Sequence, residues 1–261
     1  MPSKIEWTEE TWNPIVGCTK VSAGCAHCYA ERMANRLKAM GRPEYQDVVN
    51  GNGRWTGRVT LVPERLEQPL RWRKPRTVFV CSMSDLFHPK VPMYYHVNIW
   101  RAMADTPQHT YQILTKRPRA MRGRLEPLSQ TFGVLPNVWL GVTAENQEAA
   151  DERIPLLLQT PAAVRFVSAE PLLGPITLGG AVDYYHGNAY KPTLDWVIVG
   201  GESGPGARPM HPDWARSLMD QCQSAGVAFF FKQWGGPHKD RMLDGRTWDE
   251  MPEVSHATHQ P

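Results

Sequence analysis

The chain has 261 residues, of which 41% are hydrophobic, and a formal net charge of +3. That length suits one large domain. No apolar run approaches the roughly 18–20 residues of a membrane-spanning helix, and so mild a charge permits a polyanionic partner without arguing for one. The polar, acidic start MPSKIEWTEETW has neither the basic opening nor the apolar core of a secretory signal. The expected location is therefore the cytoplasm.

Short β-rich runs alternate with helical stretches, the pattern of a parallel α/β architecture. The first strand is expected over Asn13–Gly17, followed by a cysteine-rich loop and a helix over Ala26–Met40. Tyr29, Met33, Leu37 and Met40 recur on one face of that helix, and Gly41 supplies its stop. A strand over Arg58–Val62 and a proline-opened helix over Pro63–Trp72 come next. Strands then follow at Thr77–Cys81, Tyr111–Thr115, Val138–Val142, Val164–Ser168, Trp196–Val199 and Val227–Phe231. Helices at Tyr94–Ala104, Arg119–Leu125, Asn146–Leu158 and Pro212–Ser224 separate most of them. About eight such repeats predict a TIM-like parallel (β/α) barrel, either (β/α)8 or (β/α)6 with extra strands. Residues 1–234 would form it, with insertions at 41–57 and 179–193, and 235–261 would be a polar, partly disordered tail.

The most informative stretch is GCTKVSAGCAHCYAERMANRL, which sets Cys18, Cys25 and Cys28 within eleven positions. Five cysteines in a large chain, three of them crowded, do not read as a disulfide framework and fit metal binding in a reducing compartment. Three thiolates can hold three irons of a [4Fe-4S] cluster and leave the fourth iron open to a small molecule. On this reading Cys18 closes the first strand, while Cys25 and Cys28 sit at a helix start whose positive potential favours thiolate. Gly17 and Gly24 would let the backbone pass close to the inorganic core. A zinc site is the competing assignment, but one CxxC pair stands here without a second. His27 would point away from such a site, and only folding could bring His88 to it.

The spacing Cys-x6-Cys-x2-Cys-Tyr-Ala at a strand–helix turn resembles the cluster loop of radical S-adenosylmethionine enzymes, with six residues in place of the usual three between the first two cysteines. The wider set WNPIVGCTKVSAGCAHCYAERMANRL, KPRTVFVCSMSDLFHP, ILTKRP, LGVTAEN, FVSAEPLLG and VIVGGESG resembles a phage- and prophage-associated family with a three-cysteine motif, regarded as radical-SAM-like. That likeness runs from about Ile5 to Trp234; a weaker one ties SMSDLFHP and ILTK to the spore photoproduct lyase group, which acts on DNA bases. The resemblance implies a radical-SAM-type barrel and a [4Fe-4S] cluster on Cys18, Cys25 and Cys28. It also implies S-adenosylmethionine as cofactor and a reductase or flavodoxin-type electron donor. The cofactor would be cleaved to a 5′-deoxyadenosyl radical, and the protein would supply aim and dryness.

Such a cofactor needs polar contacts at the C-terminal rim of the strands, and nearly every strand ends in them. Ser82, Ser84 and Asp85 follow the third expected strand, Thr115 and Lys116 the fourth, Thr143 and Glu145 the fifth, Glu170 the sixth, and Gly201 and Glu202 the seventh. Within that set Asp85 and Glu202 are candidates for the methionine amino group, and Lys116 for its carboxylate. Glu145 or Glu170 would meet ribose or substrate, with a barrel-closing salt bridge as the alternative for Glu170. Cys81 is read either as a hydrogen donor to a substrate radical or as a small core thiol, and Cys222 as core. Lys116 and Arg117 at the rim could meet a phosphate, and Phe87 or Trp234 could stack on a base. A nucleotide or nucleic acid is therefore a candidate substrate. A zinc- or iron–sulfur-containing nucleic-acid-binding or interaction protein without turnover is the alternative to an enzyme.

Overall fold

Side chains of alternating direction, apolar on both faces, mark the strands of a sheet covered on two sides. The computed structural model describes residues 5–182, 185–186, 189–190, 193–236 and 240–253. Its main sheet has seven strands: β1 (Glu10–Trp12), β2 (Thr77–Val80), β3 (Thr110–Thr115), β4 (Val138–Thr143), β5 (Val164–Ala169), β6 (Trp196–Gly200) and β7 (Ala228–Gln233). Neighbours in space are neighbours in sequence, and all six pairings are parallel. The sheet curls into a half-barrel surrounded by helices. Five α-helices are present among the described residues: α1 (Tyr29–Ala39), α2 (Met93–Ala104), α3 (Pro118–Phe132), α4 (Gln147–Leu158) and α5 (Pro212–Ala225).

The expected parallel (β/α) barrel, (β/α)8 or (β/α)6 with extra strands, is present in coarser form: the sheet is a curled half-barrel of seven strands whose order runs linearly from β1 to β7. Several element expectations are corrected. The expected second strand contributes only Thr60–Leu61, which pairs antiparallel with Ile15–Val16 outside the sheet; the first sheet strand lies earlier, at Glu10–Trp12. Pro63–Trp72 forms two short 3-10 turns, Pro63–Arg65 and Pro69–Arg71, each opened by its own proline. Two prolines six residues apart each lack an N–H and crowd the preceding turn, which prevents one continuous helix. On α1 the expected apolar stripe shifts. Ala30, Met33, Ala34 and Leu37 pack inward, whereas Tyr29 and Met40 are exposed. Gly41 does stop the helix, at a φ of +76°.

The outer face of the sheet carries the main core: Val78, Ile113, Leu140, Val167, Val199 and Phe231 pack with Ile99, Met121, Leu157 and Leu218 of the helices. Cys222 lies fully buried in this layer. The inner face carries a second, aromatic cluster of Trp139, Phe166, Trp196 and Phe230. Trp7, from the segment before β1, inserts into that concave face; its ring meets Phe79 at 4.8 Å and Trp196 edge-on at 6.1 Å between centroids. An open half-barrel lacks strands to fill its own hollow, and this aromatic plug fills the lower part of it.

The C-terminal segment is more ordered than its polarity suggests. Leu243 is fully buried and Trp248 is 9% exposed, both within the main core. The Phe231 N–H donates to the Trp248 carbonyl at 2.8 Å, and the Glu250 N–H to the Phe229 carbonyl at 3.2 Å. Residues 248–250 thus cover the free edge of β7, which would otherwise present unpaired backbone groups. The insertion at 41–57 packs through Tyr45, Val48 and Val49 against α1. The insertion at 179–193 lies partly outside the described residues.

Candidate functional site

The inner-face residues become polar toward the C-terminal ends of the strands, above the aromatic plug. There Thr143, Lys116, Lys232 and Gln233 face a cavity of about 270 Å³, roofed by the cysteine loop. Cys18, Cys25 and Cys28 all line it, each a half-buried free thiol. Cys81 lines it from the end of β2, almost buried and at a φ of +62°, a left-handed conformation that is unusual for a residue with a Cβ. Of the residues expected at the rim, Ser82, Ser84, Asp85, Thr115, Lys116, Thr143, Glu170, Gly201 and Glu202 line this same cavity. Glu145 does not; it is buried beneath the cysteine loop.

The loop is built from both ends. Gly17, at a φ of +92°, bonds the Met83 carbonyl through its N–H and lets the chain pass the Arg58 carbonyl, where a Cβ would stand at 2.4 Å. Thr19 pairs its hydroxyl with His88 Nε2 and accepts at its carbonyl from Arg117. A single 3-10 turn, Ala23–Cys25, follows, and Cys28 is the residue that caps α1. Gly17 and Gly24 each lie tight against another part of the chain. Gly17 makes room for the insertion, and Gly24 for Glu145, whose carboxylate lies 3.1–3.3 Å from a Cβ built there.

Most of the rim's polar groups already have partners inside the protein. The Ser82 hydroxyl donates to Asn13 Oδ1 and the Ser84 hydroxyl to the Ile15 carbonyl. Asp85 accepts from the Thr115 hydroxyl at 2.8 Å and from the N–H groups of Phe87 and Lys116, and it faces Arg117. Glu202 accepts from both arms of Arg208 (2.6 and 3.0 Å), from the Arg208 N–H and from His27 Nδ1 at 2.8 Å. Both carboxylates are thus already engaged by donors from within the protein. Glu170 pairs with Lys232 at 2.7 Å, tying the end of β5 to β7. Gly201 is required by the Trp234 carbonyl, which a Cβ would meet at 1.9 Å. Phe87 is buried and stacks on His96, so it offers no platform for a base. Lys116 is different. Its ammonium reaches only the Thr143 hydroxyl, at 3.2 Å, and has no ion-pair partner among the described residues.

Electrostatics follow from this packing. Burial pushes the Cys18 thiol up to about 12, and Asp85 adds to the shift. Burial likewise raises Cys81 to about 12, against a hydrogen bond from Ser84. His88 falls to about 4, through burial first and the Arg117 charge second. Burial would raise Glu202, but the hydrogen bonds from Arg208 and His27 outweigh it and hold the carboxyl down at about 2.

Sequence reasoning missed the basic partners: Arg153, Arg208, His27 as a contact of Glu202, and His88 beside the loop. For Arg153 a signal exists. It falls on the apolar face of α4 with Ala149, Ala150, Ile154 and Leu157, where a charge implies a buried counter-ion.

Among the described residues, no three His, Cys, Asp or Glu side chains stand close enough to share a single metal ion. A lone zinc, with Zn–S bonds of about 2.3 Å, demands such crowding. A four-iron cluster places each cysteine on a different iron and spreads them. Cys18, Cys25 and Cys28, three free thiols on one cavity, are a donor set of that larger kind. A family model described as a protein of unknown function, DUF5131, matches residues 2–252. No curated protein and no solved structure matches the chain.

Proposed function

The chain belongs to the DUF5131 family, and for it we propose an enzyme of the radical S-adenosylmethionine type, in which Cys18, Cys25 and Cys28 hold a [4Fe-4S] cluster. The observation that carries this reading is the opening of all three thiols into the cavity formed by the polar strand ends of a parallel half-barrel. When bound, the cluster and S-adenosylmethionine supply a 5′-deoxyadenosyl radical that removes hydrogen from a substrate.

The chain's own residues then have separate tasks. Lys116, the ammonium without a carboxylate partner, receives the anionic end of the cofactor, steadied by Thr143. The Glu170–Lys232 pair holds the floor of the cavity. The aromatic plug of Trp7, Phe166 and Trp196 below it keeps water out, which protects a reactive intermediate. Cys81 stands on the cavity wall, where a hydrogen donor to a substrate radical belongs. A nucleotide or nucleic-acid substrate, a flavodoxin-type donor and a cytoplasmic setting complete the proposal. No helix among the described residues is long and apolar enough to cross a membrane.

Anaerobic reconstitution tests it. A brown protein with about four irons that releases 5′-deoxyadenosine after reduction is the expected result. Stoichiometric zinc without cofactor cleavage, or a cluster that never binds S-adenosylmethionine, would replace it with a binding or interaction protein.

A further inference from the structure

The cysteine loop has little structure of its own: one 3-10 turn separates Cys18 from Cys28. Such a segment opens easily unless other elements tie it down. Here two carboxylates from distant strand ends do so. Glu145, following β4 and only 1% exposed, accepts the Gly24 N–H at 3.1 Å on one oxygen and Arg153 at 2.9 Å on the other. Glu202, following β6, accepts His27, while its partner Arg208 donates onward to the Ala23 carbonyl at 3.0 Å. Residues 23, 24 and 27 are thus gripped from two sides, with Cys25 between the grips and Cys28 at the edge.

We infer that Glu145 and Glu202 are positioning residues, which set the cysteine loop in its working shape before any ligand binds. The charge arrangement supports this role. A bare carboxylate beside thiolates would repel them, but each one carries its own guanidinium, Arg153 or Arg208, so the grip adds no net negative charge. Rigid support also lowers the cost of ordering a binding loop. The inference rests on the loop's being the metal-holding element, but its test reads the loop directly.

The experiment uses the full-length, metal-free, reduced protein. Gly24→Ala places a methyl 3.1–3.3 Å from the buried Glu145 carboxylate. Glu202→Gln loosens the other grip and guards against one variant's failing to fold. Amide exchange of residues 19–28 should quicken about tenfold or more in both variants, the scale of one lost charge-assisted hydrogen bond. Exchange in the β-strands should stay unchanged. After anaerobic iron–sulfide loading, both variants should show lower iron content and an altered electron paramagnetic resonance signal. Wild-type loop exchange in both variants overturns the inference. If the wild type takes up no iron while loop exchange responds as described, the grip stands and the iron–sulfur reading falls.

Discussion

Gly141 is the position where the half-barrel can be probed most sharply. It lies on the inner face of β4, and a Cβ built there would stand 2.5 Å from Cε2 and Cζ of Phe166. Carbon atoms prefer about 3.5–4.0 Å, so the ring would have to retreat by roughly 1 Å. It has little room to do so. Phe166 is fully buried, with Trp196 at 5.6 Å and Trp7 at 6.5 Å between ring centroids. Overpacking of this kind costs about 1–3 kcal/mol, and a clamped ring belongs at the upper end. At about 2–4 °C per kcal/mol for a chain near this size, Gly141→Ala should lower the midpoint of thermal unfolding by roughly 6–12 °C. Phe166→Leu removes the atoms that the methyl meets and incurs its own cavity cost. The double variant should then be less destabilised than the sum of the two, with a coupling of about 0.5–3 kcal/mol. Circular dichroism melts of the four proteins measure this. A Gly141→Ala melt within about 2 °C of wild type, or strict additivity, would show that the inner aromatic layer is not packed as described.

Other outcomes follow from the site and its surroundings. Cys25→Ala should lose iron in anaerobic reconstitution while keeping the wild-type circular dichroism spectrum; undiminished S-adenosylmethionine cleavage would reject the cluster assignment. Lys116→Met should weaken S-adenosylmethionine binding by about 10–150-fold in anaerobic calorimetry, the worth of one hydrogen bond to a charged group; unchanged affinity would place the cofactor's carboxylate elsewhere. Glu202 has a folded-state pKa below its ordinary 4.5. Its contribution to stability is therefore complete above pH 4.5 and fades as the pH falls toward about 2. The difference in unfolding midpoint between wild type and Glu202→Gln should shrink across that window, and a gap constant with pH would contradict the ion-pair account. Trp248→Ala should cost about 3–5 kcal/mol through lost burial and should uncover the β7 edge, visible as self-association in size-exclusion chromatography. A monomer with a wild-type melt would mean that residues 248–250 do not cover that edge.

Local pattern carried much of the architecture. The short apolar, β-rich runs at Val138–Thr143 or Ala228–Gln233 and the stop at Gly41 depend on neighbours a few positions away, so they are legible in one dimension. Six of the eight expected strands sit in the sheet within two residues of their expected bounds, and the cysteine spacing with a polar strand-end rim already pointed to one mouth. Tertiary structure decided what those rim residues do. Glu145 meets Gly24 across 121 positions, and Glu202 meets His27 across 175; no local pattern records such pairings. It also decided that the sheet stays open, that Trp7 fills its hollow, and that a polar tail covers β7. A side chain's identity is written in the sequence, but the partner that neutralises it is chosen only when distant segments are brought together and buried charges must be matched.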